Sequence, residues 1–295
     1  MGVVSSIADP TSAKGDTNGK SEMTTTAAAV FLDKDGKVVE CVVDTMEIAM
    51  TFSSKGKAIA LTEPKTKYEY GDAYGMVAYG GAKKEWYQQV DSLTKLIKGK
   101  NLDEVKALAL EDGKPSDEVA NAGCTINIAD FVKAVVKAIE NAEDSKAKSD
   151  NKLKLAFVAT QSVMSDASSD KSGSIEVTVD ITAAALDNNK KVTAAEIDTV
   201  EGSVSFNTKG VTENKAENLM TKRQLGDDYG MVKSTLTDKE WYQQVDALIS
   251  NIIGKNAAEI TALSAEDGVP SSVVAESGCT INILTILKSA AKAAS

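Results

Sequence analysis

The chain has 295 residues, enough for two domains of ordinary size, and its apolar and charged fractions of 42% and 26% are typical of a globular protein. Its formal net charge of −10 gives no general attraction to nucleic-acid phosphates, so we expect no nucleic-acid partner. The chain contains no histidine, which excludes Ser-His and Cys-His catalysis and ordinary zinc sites.

The first half begins with strand patterns. Residues 3–7 favour a strand, and residues 9–23, rich in Ser, Thr, Gly, Asp and Lys, favour a surface loop. Residues 24–44 predict a hairpin around an Asp-Gly turn, because Asp-Gly tolerates positive φ. Residues 47–52 alternate apolar and polar side chains, which predicts a further strand with one buried face.

Helical periodicity follows in the same half. Residues 83–97 predict an amphipathic helix with Trp86 on its apolar stripe, where we expect a core anchor. Residues 102–110 predict a second helix, 124–128 a short buried strand and 130–139 a third helix. No apolar run is long enough to span a bilayer.

The second half repeats the first. From Thr66 to Glu140, about half of the positions are identical to those 155 residues later, without a gap. We predict a tandem duplication of an α+β domain, each copy an antiparallel sheet packed with about three helices. The predicted domains are 1–142 and 155–295, joined by a charged linker at 143–154. Cys124 and Cys279 occupy equivalent positions in different domains, so we expect no disulfide between them.

Several polar residues of the repeated segment are identical in both copies although an apolar core alone does not require them. Two interpretations remain open at this point: they cap and pack one compact unit, or they form a ligand site. The residues in the first copy are Lys67, Tyr74, Gln88, Gln89, Lys100 and Asn127.

The order of the repeated motifs resembles a known family. The first copy has Tyr70-Gly71-Asp72, Tyr74-Gly75-Met76, Gly99-Lys100 and Ala122-Gly123-Cys124-Thr125, and the second copy has Gly254-Lys255 and Ser277-Gly278-Cys279-Thr280. This order is similar to that of the FMN-binding domain, which occurs in the C subunit of the sodium-pumping NADH:quinone oxidoreductase. Over nearly its whole length the chain also resembles a group of duplicated lipoproteins of Gram-positive anaerobic bacteria.

The resemblance implies a set of flavin-binding residues. Thr125 and Thr280 would carry FMN through a phosphoester, with Gly123 and Gly278 opening access to the hydroxyls. Tyr74 and Tyr229 would stack on the flavin ring, and Lys100 and Lys255 would meet a phosphate. The resemblance implies an exported, lipid-anchored cell-envelope protein that transfers electrons through the cofactor and is not an enzyme with its own substrate. The flavin would be its small-molecule partner, and an N-terminal lipid, outside the printed residues, its contact with the membrane.

An alternative interpretation keeps the domain and loses the cofactor. The flavin-transferase motif has an aspartate six residues before the threonine, and those positions hold Val119 and Val274. This favours a non-catalytic surface module that is structural or binds a partner. A hydrolytic function finds no support, since the paired carboxylates Glu111 and Asp112 lie in a Gly/Pro turn.

Overall fold

The computed structural model describes residues 1–145, 147–148, 150–212, 214, 217–235, 237–265 and 267–295. Within these residues the chain is a mixed α+β protein with a five-stranded and a three-stranded antiparallel sheet and eleven α-helices. Of the predicted linker 143–154, Lys146 and Ser149 lie outside the described residues, and a strand begins at Lys152. The division into two domains at this segment stays a prediction.

The strands are β1 (Gly2–Ile7), β2 (Gly19–Leu32), β3 (Val38–Phe52), β4 (Ala58–Ile59), β5 (Lys152–Ser165), β6 (Gly173–Leu186), β7 (Val192–Phe206) and β8 (Glu217–Leu219). The helices are α1 (Lys67–Tyr70), α2 (Trp86–Ile97), α3 (Leu102–Lys106), α4 (Asp117–Ala122), α5 (Ala129–Glu140), α6 (Lys222–Leu225), α7 (Met231–Ser234), α8 (Trp241–Ile252), α9 (Ala257–Thr261), α10 (Ser272–Ser277) and α11 (Leu284–Ala293). Short 3-10 helices follow α1 and α6.

Each half of the chain contains one long hairpin, β2–β3 and β6–β7. The predicted hairpin over residues 24–44 is confirmed, with Asp33 Oδ1 accepting the backbone N–H groups of Asp35 and Lys37 at 2.9 Å each. Its strands are longer than predicted. β2 begins at Gly19, inside the predicted loop 9–23, and β3 continues without a break through the strand predicted at 47–52.

The two halves contribute strands to one sheet. The five-stranded sheet has the order β4-β3-β2-β1-β8, and the other has the order β5-β6-β7. β8 belongs to the second half of the chain but pairs with β1, with Ser5 opposite Leu219 and Ile7 opposite Glu217. An edge of the first sheet is thereby covered by backbone from the second half.

The inner faces of the two sheets pack against each other. Their shared core includes Met23 and Ile48 from the first sheet and Val179 and Ile181 from the second. In this core the rings of Phe52 and Phe206, the last residues of β3 and β7, stack with centroids 4.5 Å apart. The helices cover the outer faces, α2 and α5 on the first sheet and α8 and α11 on the second. The result is four layers, helix–sheet–sheet–helix.

The helices predicted over residues 83–97 and 130–139 are confirmed as α2 and α5, whereas the helix predicted over 102–110 is shorter and ends at Lys106. α2 begins at Trp86 behind a reciprocal cap between Glu85 and Gln88, and Trp86 and Trp241 are buried core anchors as expected. The strand predicted at residues 124–128 is wrong, because this segment is the loop between α4 and α5. Cys124 and Ile128 are buried there from a non-extended backbone. None of the helices in the described ranges is long and apolar enough to cross a membrane.

Candidate functional site

The Gly-Cys-Thr segments adopt the same conformation in both halves. α4 ends at Gly123, whose φ of +103° lies in the left-handed region, and α10 ends at Gly278 with a φ of +104°. The next residue, Cys124 or Cys279, is buried and free. Burial raises the pKa of each of these two thiols to about 11, so both stay protonated at neutral pH.

The threonine that follows is exposed, but its polar groups are already bound. Gln89 Oε1 accepts hydrogen bonds from the backbone N–H of Thr125 at 2.8 Å and from its hydroxyl at 3.1 Å. Gln244 accepts the same two bonds from Thr280 at 2.9 and 3.1 Å. Both glutamines are buried, and their Nε2 atoms donate to backbone carbonyls. This glutamine therefore fixes the loop that presents the threonine.

A lysine side chain lies across the capping glycine in each half. Lys84 Nζ donates to Ser92 Oγ at 3.1 Å and occupies the space that a Cβ atom at Gly123 would enter. Lys239 has the same relation to Gly278. The left-handed backbone conformation is the main reason for glycine here, and a Cβ atom would in addition push aside the flexible end of the lysine side chain.

We expect Gly123→Ala to lower the free energy of unfolding by about 1–3 kcal/mol, from left-handed backbone strain plus displacement of Lys84. Urea denaturation measures this loss. In a Lys84→Ala background the same substitution should cost less, since only the backbone strain remains. Equal costs in both backgrounds would contradict the contact between Lys84 and residue 123.

Tyr74 belongs to a different group of side chains. Lys67 Nζ lies 4.9 Å from the centroid of its ring and 2.6 Å from Glu47. Lys222 has the same contacts with Tyr229, at 4.8 Å, and Glu201, at 2.7 Å. Each tyrosine ring thus already contacts a lysine ammonium group that is paired with a glutamate. The ammonium is attracted to the face of the ring by the ring's quadrupole.

A small cleft of about 310 Å³ adjoins the first of these tyrosines. Burial lowers the pKa of Lys67, but its hydrogen bonds to Glu47 and Tyr74 outweigh this, so that pKa lies above its ordinary value. The ammonium group is therefore charged, and its charge is balanced by Glu47.

The two lysines of the Gly-Lys pairs lie in a third place. Lys100 Nζ binds Glu118 at 2.9 Å, on α4. At Lys255 the backbone carbonyl accepts the N–H of Val192 at 3.0 Å, and Val273 stands where the first half has Glu118. Within the described residues no hydrogen bond, ion pair or ring contact joins the predicted threonines, tyrosines and lysines to one another. These residues therefore lie in three separate groups and do not form one connected site.

Among the buried carboxylates, one pair at equivalent positions in the two halves has no role in the sequence motifs. Asp44 and Asp198 occupy equivalent positions on β3 and β7, and each accepts the N–H of the next residue, at 2.7 and 2.8 Å. Burial raises the pKa of each to about 6, although hydrogen bonds from neighbouring groups lower it in part. Their only sequence signal is the pair Asp-Thr at the same place in both halves.

In the part of the chain that the structure describes, no three His, Cys, Asp or Glu side chains are grouped closely enough to hold a metal ion. Comparisons with protein-family models, with curated proteins and with solved structures found no match for this chain.

Proposed function

We propose that the chain is a non-catalytic binding module built from two tandem homologous α+β domains. One observation carries this proposal. Most of the polar residues that are identical in both copies are engaged within the chain: Gln89 holds Thr125, Lys67 binds Glu47, and Asn127 binds the carbonyl of Asp112 at 3.1 Å. These contacts account for their retention without a ligand, and they favour the structural or partner-binding interpretation over a cofactor site.

Matching caps support the homology of the two domains. α1 begins with a reciprocal cap between Thr66 and Glu69, and α6 begins with the same cap between Thr221 and Gln224. α3 and α9 both begin at an asparagine that accepts the N–H of a glutamate three residues on. The cell-envelope location and the lipid anchor rest on the resemblance to duplicated lipoproteins alone and belong to the same proposal.

A flavin-carrying electron-transfer protein is the second candidate. The observation that favours it is the exposure of Thr125 and Thr280, each on a loop that follows a left-handed glycine. Their hydroxyls are open to a transferase once the bond to Gln89 or Gln244 is released. Tyr74, Tyr229, Lys100 and Lys255 would then have to leave their present partners to reach a flavin on either threonine.

Intact mass and visible absorbance distinguish the two candidates. The protein is produced with a leader peptide in a host that carries the flavin transferase, and is then soaked in FMN. We expect a colourless protein of unmodified mass. A yellow protein heavier by one or two FMN units, with the gain lost in Thr125→Ala plus Thr280→Ala, would overturn the proposal, and so would a yellow colour at unmodified mass.

A further inference from the structure

A concavity larger than the cleft beside Tyr74 lies between the two sheets. It is a groove of about 780 Å³ bounded on one side by residues 40–44 of β3 and on the other by residues 152–157 of β5. Tyr68 of α1 and Asp91 of α2 line it near β3, and Lys292 of α11 lines it near β5. None of the residues to which the flavin interpretation assigns a role lines this groove.

Both strands that border the groove present backbone without a strand partner. β5 is the edge of its sheet, and β4 pairs with β3 only at Thr51 and Phe52. The N–H groups of Cys41 and Thr45 donate to the carboxylates of the preceding residues, which shows that they face away from β2. Because the backbone N–H and C=O groups of successive strand residues point to opposite sides, those of Val43 also face away from β2.

The edge of β5 follows the same alternation. The carbonyl of Phe157 accepts Lys292 Nζ, at 3.0 Å in the groove, so Phe157 faces away from β6. Leu155, two residues earlier, therefore presents its N–H and C=O to the groove as well. An unpaired strand edge of this kind is a template for a further strand.

The equivalent edge in the second half is closed by the chain itself. There Arg223 Nε donates to the carbonyl of Ile197 at 2.5 Å, and its guanidinium binds Asp246 at 2.6 Å. Ile197 corresponds to Val43. The residue that corresponds to Arg223 is Tyr68, whose hydroxyl donates to Asp91 instead. Among the described residues, no side chain therefore donates to the carbonyl of Val43 as Arg223 does to that of Ile197.

In the described part of the chain, the carboxylates around the groove have partners, whereas several of the lysines have no carboxylate partner. Its four side-chain carboxylates all have partners: Glu40 binds Lys98, Glu69 binds Lys292, Asp91 binds Tyr68, and Asp44 accepts backbone N–H groups. Three lysines on its rim are exposed and, among the described residues, have no carboxylate within ion-pair distance. They are Lys95, Lys152 and Lys154. The rim therefore offers positive charge to an incoming group.

We propose that this groove binds an extended acidic segment of a partner protein, which adds as a strand to the edge of β5 and places its carboxylates near Lys95, Lys152 and Lys154. Main-chain hydrogen bonds with Leu155 provide the affinity, and the lysines select for acidic side chains. This inference rests on the proposed function, since it names the class of partner for a binding module.

The test uses the full chain and a capped seven-residue peptide of alternating glutamate and valine. We expect saturable binding by fluorescence anisotropy and slower amide hydrogen exchange at Leu155. Replacing all three rim lysines, Lys95→Glu, Lys152→Glu and Lys154→Glu, should weaken binding at least about tenfold. The matched control Lys14→Glu, Lys34→Glu and Lys55→Glu changes three exposed lysines elsewhere and should leave binding within about twofold.

Two further peptides separate strand addition from charge attraction. A version N-methylated at alternate residues cannot make the ladder hydrogen bonds and should not bind, and a lysine–valine version should not bind either. The proposal would be overturned if either of these two peptides bound as tightly as the acidic peptide. It would also be overturned if both triple-lysine variants lost the same amount of affinity, or if the acidic peptide did not slow amide exchange at Leu155. If the acidic peptide fails to bind while the protein stays colourless with FMN, the groove proposal fails alone. A yellow protein removes the proposed function whatever the peptide does.

Discussion

Phe52→Ala should lower the free energy of unfolding by about 3–5 kcal/mol, the usual cost of removing a buried phenylalanine side chain. The ring is fully buried and stacks on Phe206, with an angle of 6° between the two planes. The ring belongs to the core that the two sheets share. Phe206→Ala should have a similar effect, and the two losses should not add, because each substitution removes the same stacked contact.

The same substitution tests whether the two halves unfold together. Trp86 lies in the helix layer of the first half and Trp241 in that of the second, so single-tryptophan variants report on each separately. Since the inner faces of both sheets share one core, Phe52→Ala should lower the urea midpoint reported by Trp241 as much as that reported by Trp86. A Trp241 transition that Phe52→Ala leaves unchanged would instead support two independently folding domains joined at 143–154.

Tyr79→Ala is the matched control for this experiment. Tyr79 is also an aromatic residue of the first half, but 92% of its surface is exposed, so its loss should change the midpoint little. If Tyr79→Ala and Phe52→Ala gave similar shifts, the packing between the sheets would not be what stabilises the protein.

Local patterns predicted much of this fold. The hairpin turn at Asp33 and the stripe of α2 are determined by neighbours along the chain, and both were predicted correctly. The segment 124–128 was misassigned because its apolar residues alternate as in a strand. The left-handed Gly123 ends α4 there, and Cys124 and Ile128 reach the core from a loop. Over only five residues, the spacing of apolar side chains does not distinguish a buried strand from a loop that places the same side chains in the core.

Pairings between distant segments could not be predicted. β1 pairs with β8, more than 200 residues later, and nothing local to either strand specifies its partner. The candidate site also depends on contacts between residues that are distant in the sequence. Gln89 was recognised as a retained residue, but its bonds to Thr125 join positions 36 apart. The groove beside Val43 depends on which strands become sheet edges, which is a property of the assembled fold.

The double variant Asp44→Asn plus Asp198→Asn should stabilise the protein at pH 7 by up to about 6 kcal/mol, about 3 for each carboxylate, because one pKa unit corresponds to about 1.4 kcal/mol. The pKa of each is raised by burial from 3.8 to about 6. Neighbouring charges modify this effect. Glu69 raises the pKa of Asp44 further, whereas Arg223 lowers that of Asp198.

The direction of the pH dependence follows from proton binding. Between about pH 4 and pH 6 the folded protein keeps a proton on each carboxyl that the unfolded chain has released, so the folded state binds more protons. The contribution of these groups to stability is therefore favourable below pH 4, falls as the pH rises through this window, and stays low above pH 6. Asparagine keeps a side-chain oxygen for the N–H of Thr45 or Thr199 but does not ionise.

Urea denaturation of the wild type and the double variant from pH 4 to pH 7 measures this effect as a difference, so the other carboxylates of the chain cancel. The difference should grow through the window and then level off. Asp16→Asn, an exposed substitution in a loop, is the control and should give a small difference that does not change in this way. A difference between wild type and double variant that is constant with pH would mean that Asp44 and Asp198 are ionised in the folded protein throughout. The hydrogen bonds from Thr45, Tyr68, Thr199 and Arg223 would then outweigh the cost of burying the charge.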